Sequence, residues 1–364
     1  LYLEVFVMGN LLHAPNSSIP SLRSSRLLET LSGYEEIVLA SHVNPDPDAI
    51  ASMVGLEALI QHHAPAQRVR MTLDGIISRA ENQAMVRCLD LDLSPIEQVE
   101  FRPSTALVLV DTQPGTGRRF DELITPVAVL DHHETPGNLD GVPFVDVRPL
   151  AGATTTLVVG YLLEQGIPLD TRTATALFYG IDSDTSGYPR ESSDADDAAL
   201  AWLYPRVDKD ILARIKNPRL PQSYFATFQH ALSNAFLYKD VIVSYCGVVP
   251  QPDIIAELAD FFIRFDQVAW SMCLGVFEGQ MRISVRADHV GGMGGEVLRD
   301  VVAGLGAAGG HDRRAGGSIK LSEPGPEAID ELLTTLRRRF LARVEGDERR
   351  GRRLLDACPV YPVP

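Results

Sequence analysis

The chain has 364 residues, 45% of them apolar and 22% charged, with a formal net charge of −15; this is an ordinary globular profile with room for two or three domains. The acidic balance argues against a general grip on long nucleic acid, which rests on phosphate neutralisation by Lys and Arg. It leaves open a short anionic substrate, provided that cations supply the positive charge. No apolar run approaches a membrane span, and Cys88, Cys246, Cys273 and Cys358 have neither metal nor redox spacing, so a reducing, cytoplasmic location is expected.

In chain order, "LYLEVFVM" is apolar but too short to span, and it lacks the basic flank and small-residue site of a secretory signal. Leu1 rather than Met stands first, which reads as a fragment or an expression artefact. Residues 1–34 read as an irregular arm and a short helix, "SLRSSRLLETL". Strands and helices then alternate. "EIVLAS" (36–41), "RVRMTL" (68–73), "TALVLVD" (105–111) and "PVAVLD" (126–131) are short apolar runs with strand character. Residues 48–63, 154–166 and 171–181 carry helical spacing. Such alternation predicts a parallel, doubly wound sheet.

After about residue 190 the pattern changes to helical stretches at 194–204, 208–216 and 222–236. A second α/β unit follows, with strands at 240–249, 267–276, 280–286 and 315–321 and helices at 251–264, 291–305 and 325–345. The expected division is an arm and helix (1–34), a parallel α/β domain (35–190), a helical linker (191–238), a smaller α/β domain with a mixed sheet (239–345) and an Arg-rich tail (346–364). The arginines from Arg337 to Arg353 read as a solvated helix face and a loose tail, with RNA contact as the lesser alternative.

Open parallel sheets bind ligands outside the carboxyl ends of their strands. His42, Asp46 and Asp48 follow the first strand, Asp111 ends the third, and Asp131, His132 and His133 end the fourth. Asp182 and Asp184 follow "LFYGI" and are read as arriving on the same side. A single strand-end Asp is usually a turn residue, and Asp48 alone suits a helix N-cap. Together these acids would repel one another unless divalent cations joined them. Mixed imidazole and carboxylate ligands suit Mn²⁺, Fe²⁺, Zn²⁺ or Co²⁺ better than Ca²⁺. The number of candidates suits two ions, the arrangement that clamps both oxygens of a phosphoryl displacement.

These segments resemble the motifs of the DHH phosphoesterase family: "SHVNPDPDAIAS" (41–52), "VLVDT" (108–112), "VLDHH" (129–133) and "YGIDSDTSGY" (179–188), with "GATTTLV" (152–158) similar as well. The C-terminal "AAGGHDRRAGG" (307–317) resembles the loop of a DHH-associated domain, and "SVRAD" (284–288) its Arg-bearing segment. The resemblance implies a DHH catalytic domain at 35–190 and an associated substrate-binding domain at 239–345, with the active site in the cleft between them. It implies two divalent ions, Mn²⁺ foremost and Mg²⁺ or Co²⁺ as alternatives. One would be held by His42, Asp46 and Asp111, the other by Asp48, Asp111, His132 and Asp184, with Asp111 bridging. It implies His133 on the scissile phosphate, Asp131 orienting an imidazole, and Arg286, Gly309, Gly310, His311 and Gly316 on the substrate. Pro47, Ala51, Ser186, Ala307 and Ala308 stand where the family often has glycine; none removes a ligand.

The expected activity is metal-dependent hydrolysis of short oligonucleotides, exonucleolytic, or of adenosine 3′,5′-bisphosphate. The alternatives are a cyclic- or linear-dinucleotide phosphodiesterase, a polyphosphatase, or a nucleotide sensor with a vestigial site. No membrane partner is expected, and the choice between monomer and homodimer is left open.

Overall fold

A computed structural model describes residues 22–115, 124–134, 137–186, 192–289, 291–310, 312–322, 325–344 and 351–355. The chain divides into two compact units, Leu1–Pro218 and Arg219–Pro364. The division in sequence falls within the helical stretches that follow residue 190. No helix among the described residues is long and apolar enough to cross a membrane.

The first unit opens with helix α1 (Arg23–Leu31). Strands β1 (Glu36–Ala40), β2 (Arg68–Leu73), β3 (Ser94–Pro95), β4 (Thr105–Val110), β5 (Ala128–Asp131) and β6 (Phe144–Val147) form its sheet. All pairs are parallel, in the order β3-β2-β1-β4-β5-β6. The order reverses between β1 and β4, which leaves a crevice at their carboxyl ends. All six residues of β4 are buried, as a central parallel strand requires. Sequence reading missed β3, which has two residues, and β6, whose "FVDV" carries a charge in an apolar run.

Helices α2 (Pro47–His63), α3 (Ala80–Cys88), α4 (Thr154–Glu164), α5 (Thr171–Thr185), α6 (Asp194–Leu203) and α7 (Lys209–Lys216) complete this unit. Helix α2 is buried on nearly every side, with Ile50, Met53, Leu56 and Leu59 at 0% exposure, so it is a core helix rather than a surface one. Gly180 lets α5 lie close beneath the site: a Cβ there would press on Ala51 and on the carbonyl of Pro47. Helix α5 continues four residues past the expected end at 181. Asp182 and Asp184 therefore stand in the last turn of this helix rather than just past its end.

The second unit holds helix α8 (Gln222–Ser233), strands β7 (Ala235–Tyr238) and β8 (Val241–Val248), helix α9 (Asp253–Phe262), strands β9 (Trp270–Phe277) and β10 (Gln280–Ala287), and helix α10 (Gly294–Val302). Strands β11 (Ala307–Gly310) and β12 (Arg314–Lys320), helix α11 (Pro326–Arg343) and strand β13 (Arg352–Arg353) follow. Its sheet runs β11-β12-β10-β9-β8-β7-β13, with β8 and β9 parallel and every other pair antiparallel. This is the mixed sheet expected.

Two expectations here need correction. Ala307–Gly310 is an edge strand paired with β12, Gly309 opposite Gly316, rather than a free loop. Gly295 lets this strand come close, since a Cβ there would strike the Gly310 carbonyl. The arginine tail is not loose at 352–353, where β13 pairs with β7, and on helix α11 Arg339 donates to the carbonyls of Val301 and Ala303 at the end of α10 while Arg343 pairs with Asp300 at 2.8 Å. Arg349 and Arg350 lie outside the described residues.

Candidate metal centre

The end of β1 supplies His42, Asp46 and Asp48 through a tight turn. Asn44 adopts φ +58° and accepts a hydrogen bond from Ile76 N–H at 2.8 Å, which pins the turn to the loop after β2. Asp46 is the N-cap of α2 and accepts from Ala49 N–H at 3.0 Å; Pro47 occupies the first helical position. Asp48 is thus inside the first turn, neither extended nor a cap of its own helix. Its two oxygens instead accept from Thr154 N–H (2.7 Å) and Thr155 N–H (2.8 Å), the free donors at the start of α4.

Asp111 follows β4 at φ +55°, a conformation rare for a residue with a Cβ but tolerated by Asp. The turn places a carboxylate that is 2% exposed between two imidazoles. Asp111 Oδ2 lies 3.3 Å from His42 Nε2, and Oδ1 lies 3.4 Å from His132 Nε2. His42 Nε2 is also 3.6 Å from Asp46, and His132 Nε2 is 3.9 Å from Asp48 and 4.0 Å from Asp184. The described residues thus form two groups with ligand atoms close together, His42–Asp46–Asp111 and Asp48–His132–Asp184. A third, Asp111–His132–His133, overlaps both.

The two Asp111 contacts, at 3.3 and 3.4 Å, have the spacing of ligands that share a cation, and the contacts of Asp46, Asp48 and Asp184, at 3.6 to 4.0 Å, are longer. Ligand atoms about 2.1 Å from an ion lie about 3 to 3.4 Å from each other at octahedral or tetrahedral angles. His132 Nδ1 is 3.1 Å from the Ala151 carbonyl, which fixes that nitrogen as the donor and leaves the Nε2 lone pair toward the carboxylates. Asp184 sits at the negative end of α5, where a carboxylate is disfavoured without a nearby cation. Its rival Asp182 is paired with Lys216 at 2.5 Å.

His133 is arranged differently. Its Nδ1 is 2.8 Å from Asp131 Oδ1, and the ring remains 38% exposed. Asp131 is itself held by the backbone N–H of His132 and by Gln113 Nε2, both at 2.9 Å, while Gln113 Oε1 accepts from Gly137 N–H. Gln113 was not singled out from sequence, and a Gln three residues past a strand gives no signal of this role.

Burial, and then the neighbouring Asp111, Asp184 and Asp46, push the Asp48 carboxyl well above the carboxylate range. Burial disfavours a charged His42, but its pairing with Asp111 and Asp46 outweighs this and raises it well above 6.5. Asp131 raises His133. Burial opposes ionisation of Asp46, yet His42 holds it down at about 2. Burial likewise opposes ionisation of Asp131, which His133 and Gln113 hold low.

The raised groups, Asp48, His42 and His133, stabilise the metal-free protein at low pH, and that contribution is lost as pH rises through their folded values. The lowered groups, Asp46 and Asp131, lose theirs only in acid. Metal-free protein in EDTA is therefore expected to melt at falling temperature from about pH 6 to about pH 8.5, and Mn²⁺ to flatten that dependence. A melting temperature in EDTA that is constant or rises over this range contradicts the electrostatic picture.

In the second unit, the Arg286 guanidinium lies on Asp260, with Nε to Oδ1 at 2.5 Å, and also donates to Ser284 Oγ and the Val285 carbonyl. It is thus committed to protein partners here. Gly309, Gly310 and Gly316 lie on the β11–β12 pair. His311 lies outside the described residues.

The first unit is therefore a parallel α/β domain with an imidazole–carboxylate cluster at its switch point. Residues 36–181 match the model of the DHH family, N-terminal domain. An uncharacterized protein of Methanocaldococcus jannaschii is 31% identical over 78% of this chain and 58% of its own length. A probable bifunctional oligoribonuclease and PAP phosphatase of Streptococcus mutans is 23% identical over 52% of this chain and 58% of its own. The chain thus spans little more than half the length of these relatives. An exopolyphosphatase-related protein of Bacteroides fragilis shares the fold, with a TM-score of 0.70 at 17% identity over 91% of this chain and all of that one.

Proposed function

We propose that the protein is a metal-dependent phosphoesterase that hydrolyses short oligonucleotides from an end, or adenosine 3′,5′-bisphosphate. The observation that carries this reading is Asp111, whose two oxygens face different imidazoles at 3.3 and 3.4 Å and so stand where one carboxylate can join two ligand groups. His42, Asp46 and Asp111 would hold one ion, and Asp48, Asp111, His132 and Asp184 the other. Bound there, two divalent cations, Mn²⁺ foremost, supply the charge that offsets phosphate and lower the pKa of an attacking water.

The chain's own groups do the rest. Asp131 ties down His133 Nδ1. Nε2 of this part-exposed ring would donate to a phosphate oxygen as charge builds there. Burial of Asp48, Asp111 and Asp131 at 0–2% exposure keeps bulk water from screening the cluster. The net charge of −15 makes long nucleic acid a poor substrate and a short one acceptable. The name of the Streptococcus mutans relative fits the same substrate class. Arg286 would contribute only by sharing or exchanging its contact with Asp260.

The test is a substrate panel with Mn²⁺: labelled oligonucleotides of about 2 to about 24 nucleotides, adenosine 3′,5′-bisphosphate, cyclic dinucleotides and polyphosphate. Mononucleotide release confined to the shortest oligomers, or phosphate release from the bisphosphate, is expected. Turnover of cyclic dinucleotides or polyphosphate alone would move the substrate class, and turnover of none would point to a sensor.

A further inference from the structure

One buried acid is arranged around this centre without reaching it. Asp196 lies in the first turn of α6 at 0% exposure, and its carboxylate accepts from four donors. Two come from Ser193, the N–H at 2.6 Å and the hydroxyl at 2.7 Å, as part of a capping box. A capping box needs nothing more. The other two come from 44 and 40 residues away: Gly152 N–H at 2.8 Å and the Thr156 hydroxyl at 2.5 Å.

Between and beside those two anchors lie the contacts that orient the cluster. The Ala151 carbonyl accepts from His132 Nδ1 at 3.1 Å, and Thr154 N–H and Thr155 N–H grip the two oxygens of Asp48. The Thr154 hydroxyl donates to Asp111 Oδ1 at 3.1 Å. Three candidate ligands from three separate segments thus take their orientation from one six-residue stretch, and one carboxylate clamps that stretch at Gly152 and Thr156.

We propose that Asp196 is a positioning residue of the metal centre, which sets His132, Asp48 and Asp111 through the 151–156 segment. The inference rests on reading the cluster as a metal centre. Partners that orient metal ligands typically govern about 10–100-fold in metal affinity, and a fully hydrogen-bonded carboxylate on a rigid helix end suits that task. An amide at this position keeps one acceptor oxygen for Ser193 and Gly152 and turns an NH₂ toward Thr156, which replaces a charge-assisted hydrogen bond with a weaker neutral one.

The test titrates Mn²⁺ into metal-free full-length protein, with free Mn²⁺ followed by electron paramagnetic resonance, for wild type, Asp196→Asn, Thr156→Val and Ser193→Ala. Asp196→Asn and Thr156→Val are expected to weaken at least one Mn²⁺ by about 10–100-fold in protein whose circular dichroism is unchanged. Ser193→Ala, which removes the capping hydroxyl and one of the four donors to Asp196 but leaves the Gly152 and Thr156 anchors in place, is expected to lower the melting temperature and to shift the isotherm less than either of the other variants. Should Asp196→Asn fail to fold, the nearly isosteric Thr156→Val decides. An unchanged isotherm in a folded Asp196→Asn or Thr156→Val protein overturns the positioning role while the centre stands. A wild-type protein that takes up no Mn²⁺ overturns both.

Discussion

Asp111→Asn is expected to reduce turnover by about three orders of magnitude or more, because one carboxylate oxygen faces each ligand group and an amide cannot serve both. The effect on the metal-free protein has the opposite sign. Asp111 is foremost among the acidic neighbours that raise the Asp48 carboxyl, so removing its charge relieves repulsion in a buried site. Above the folded pKa values of His42 and His133, where their pairing with Asp111 no longer contributes, the variant is therefore expected to melt at or above the wild-type temperature in EDTA, and to lose most of the stabilisation that Mn²⁺ gives wild type. Steady-state rates on a short oligonucleotide and paired melting curves with and without Mn²⁺ read both effects. A near-wild-type rate would remove Asp111 from the bridging role.

The second large effect is on stability. Asp146 on β6 has no exposed side-chain surface and gathers four donors: Arg148 through Nε (2.9 Å) and a terminal nitrogen (2.7 Å), Tyr161 Oη (2.6 Å), and Arg23 from α1. Asp146→Ala strands a half-buried guanidinium and a buried hydroxyl at once. Breaking a buried ionic network by removing one partner costs about 3–5 kcal/mol. Urea unfolding at neutral pH should show a loss near that size, with the midpoint moving and the slope constant. A loss below about 1 kcal/mol would mean that the network contributes little beyond packing.

Much of the centre was legible in the sequence because its ligands follow short apolar strands, where a charged or imidazole side chain has no packing reason to recur. Asp111 after "ALVLV" and Asp131-His132-His133 after "VAVL" are of this kind. Asp184 was legible as a residue and as following a helix, but the helical spacing read over 171–181 stops short, and the helix runs on to Thr185 and carries the acid in its last turn. Asp48 was weighed as a cap of its own helix, whereas its partners lie more than 100 residues away at the start of α4. Asp196 gave no signal at all, since an acid in the first turn of a helix is commonplace. The edge strand β11 was hidden because "AAGG" has low strand propensity, and it pairs only because β12 offers its backbone. Local pattern announces which residues are chemical; long-range hydrogen bonds decide how they are held.

The central claim is that two divalent cations share Asp111. Anomalous diffraction at the manganese edge, from crystals of the full chain grown with MnCl₂, tests it most directly. Two peaks about 3.5–4 Å apart are expected, one against His42 and Asp46, the other against Asp48, His132 and Asp184, with an Asp111 oxygen on each. A single peak, or two peaks that Asp111 does not join, would contradict it.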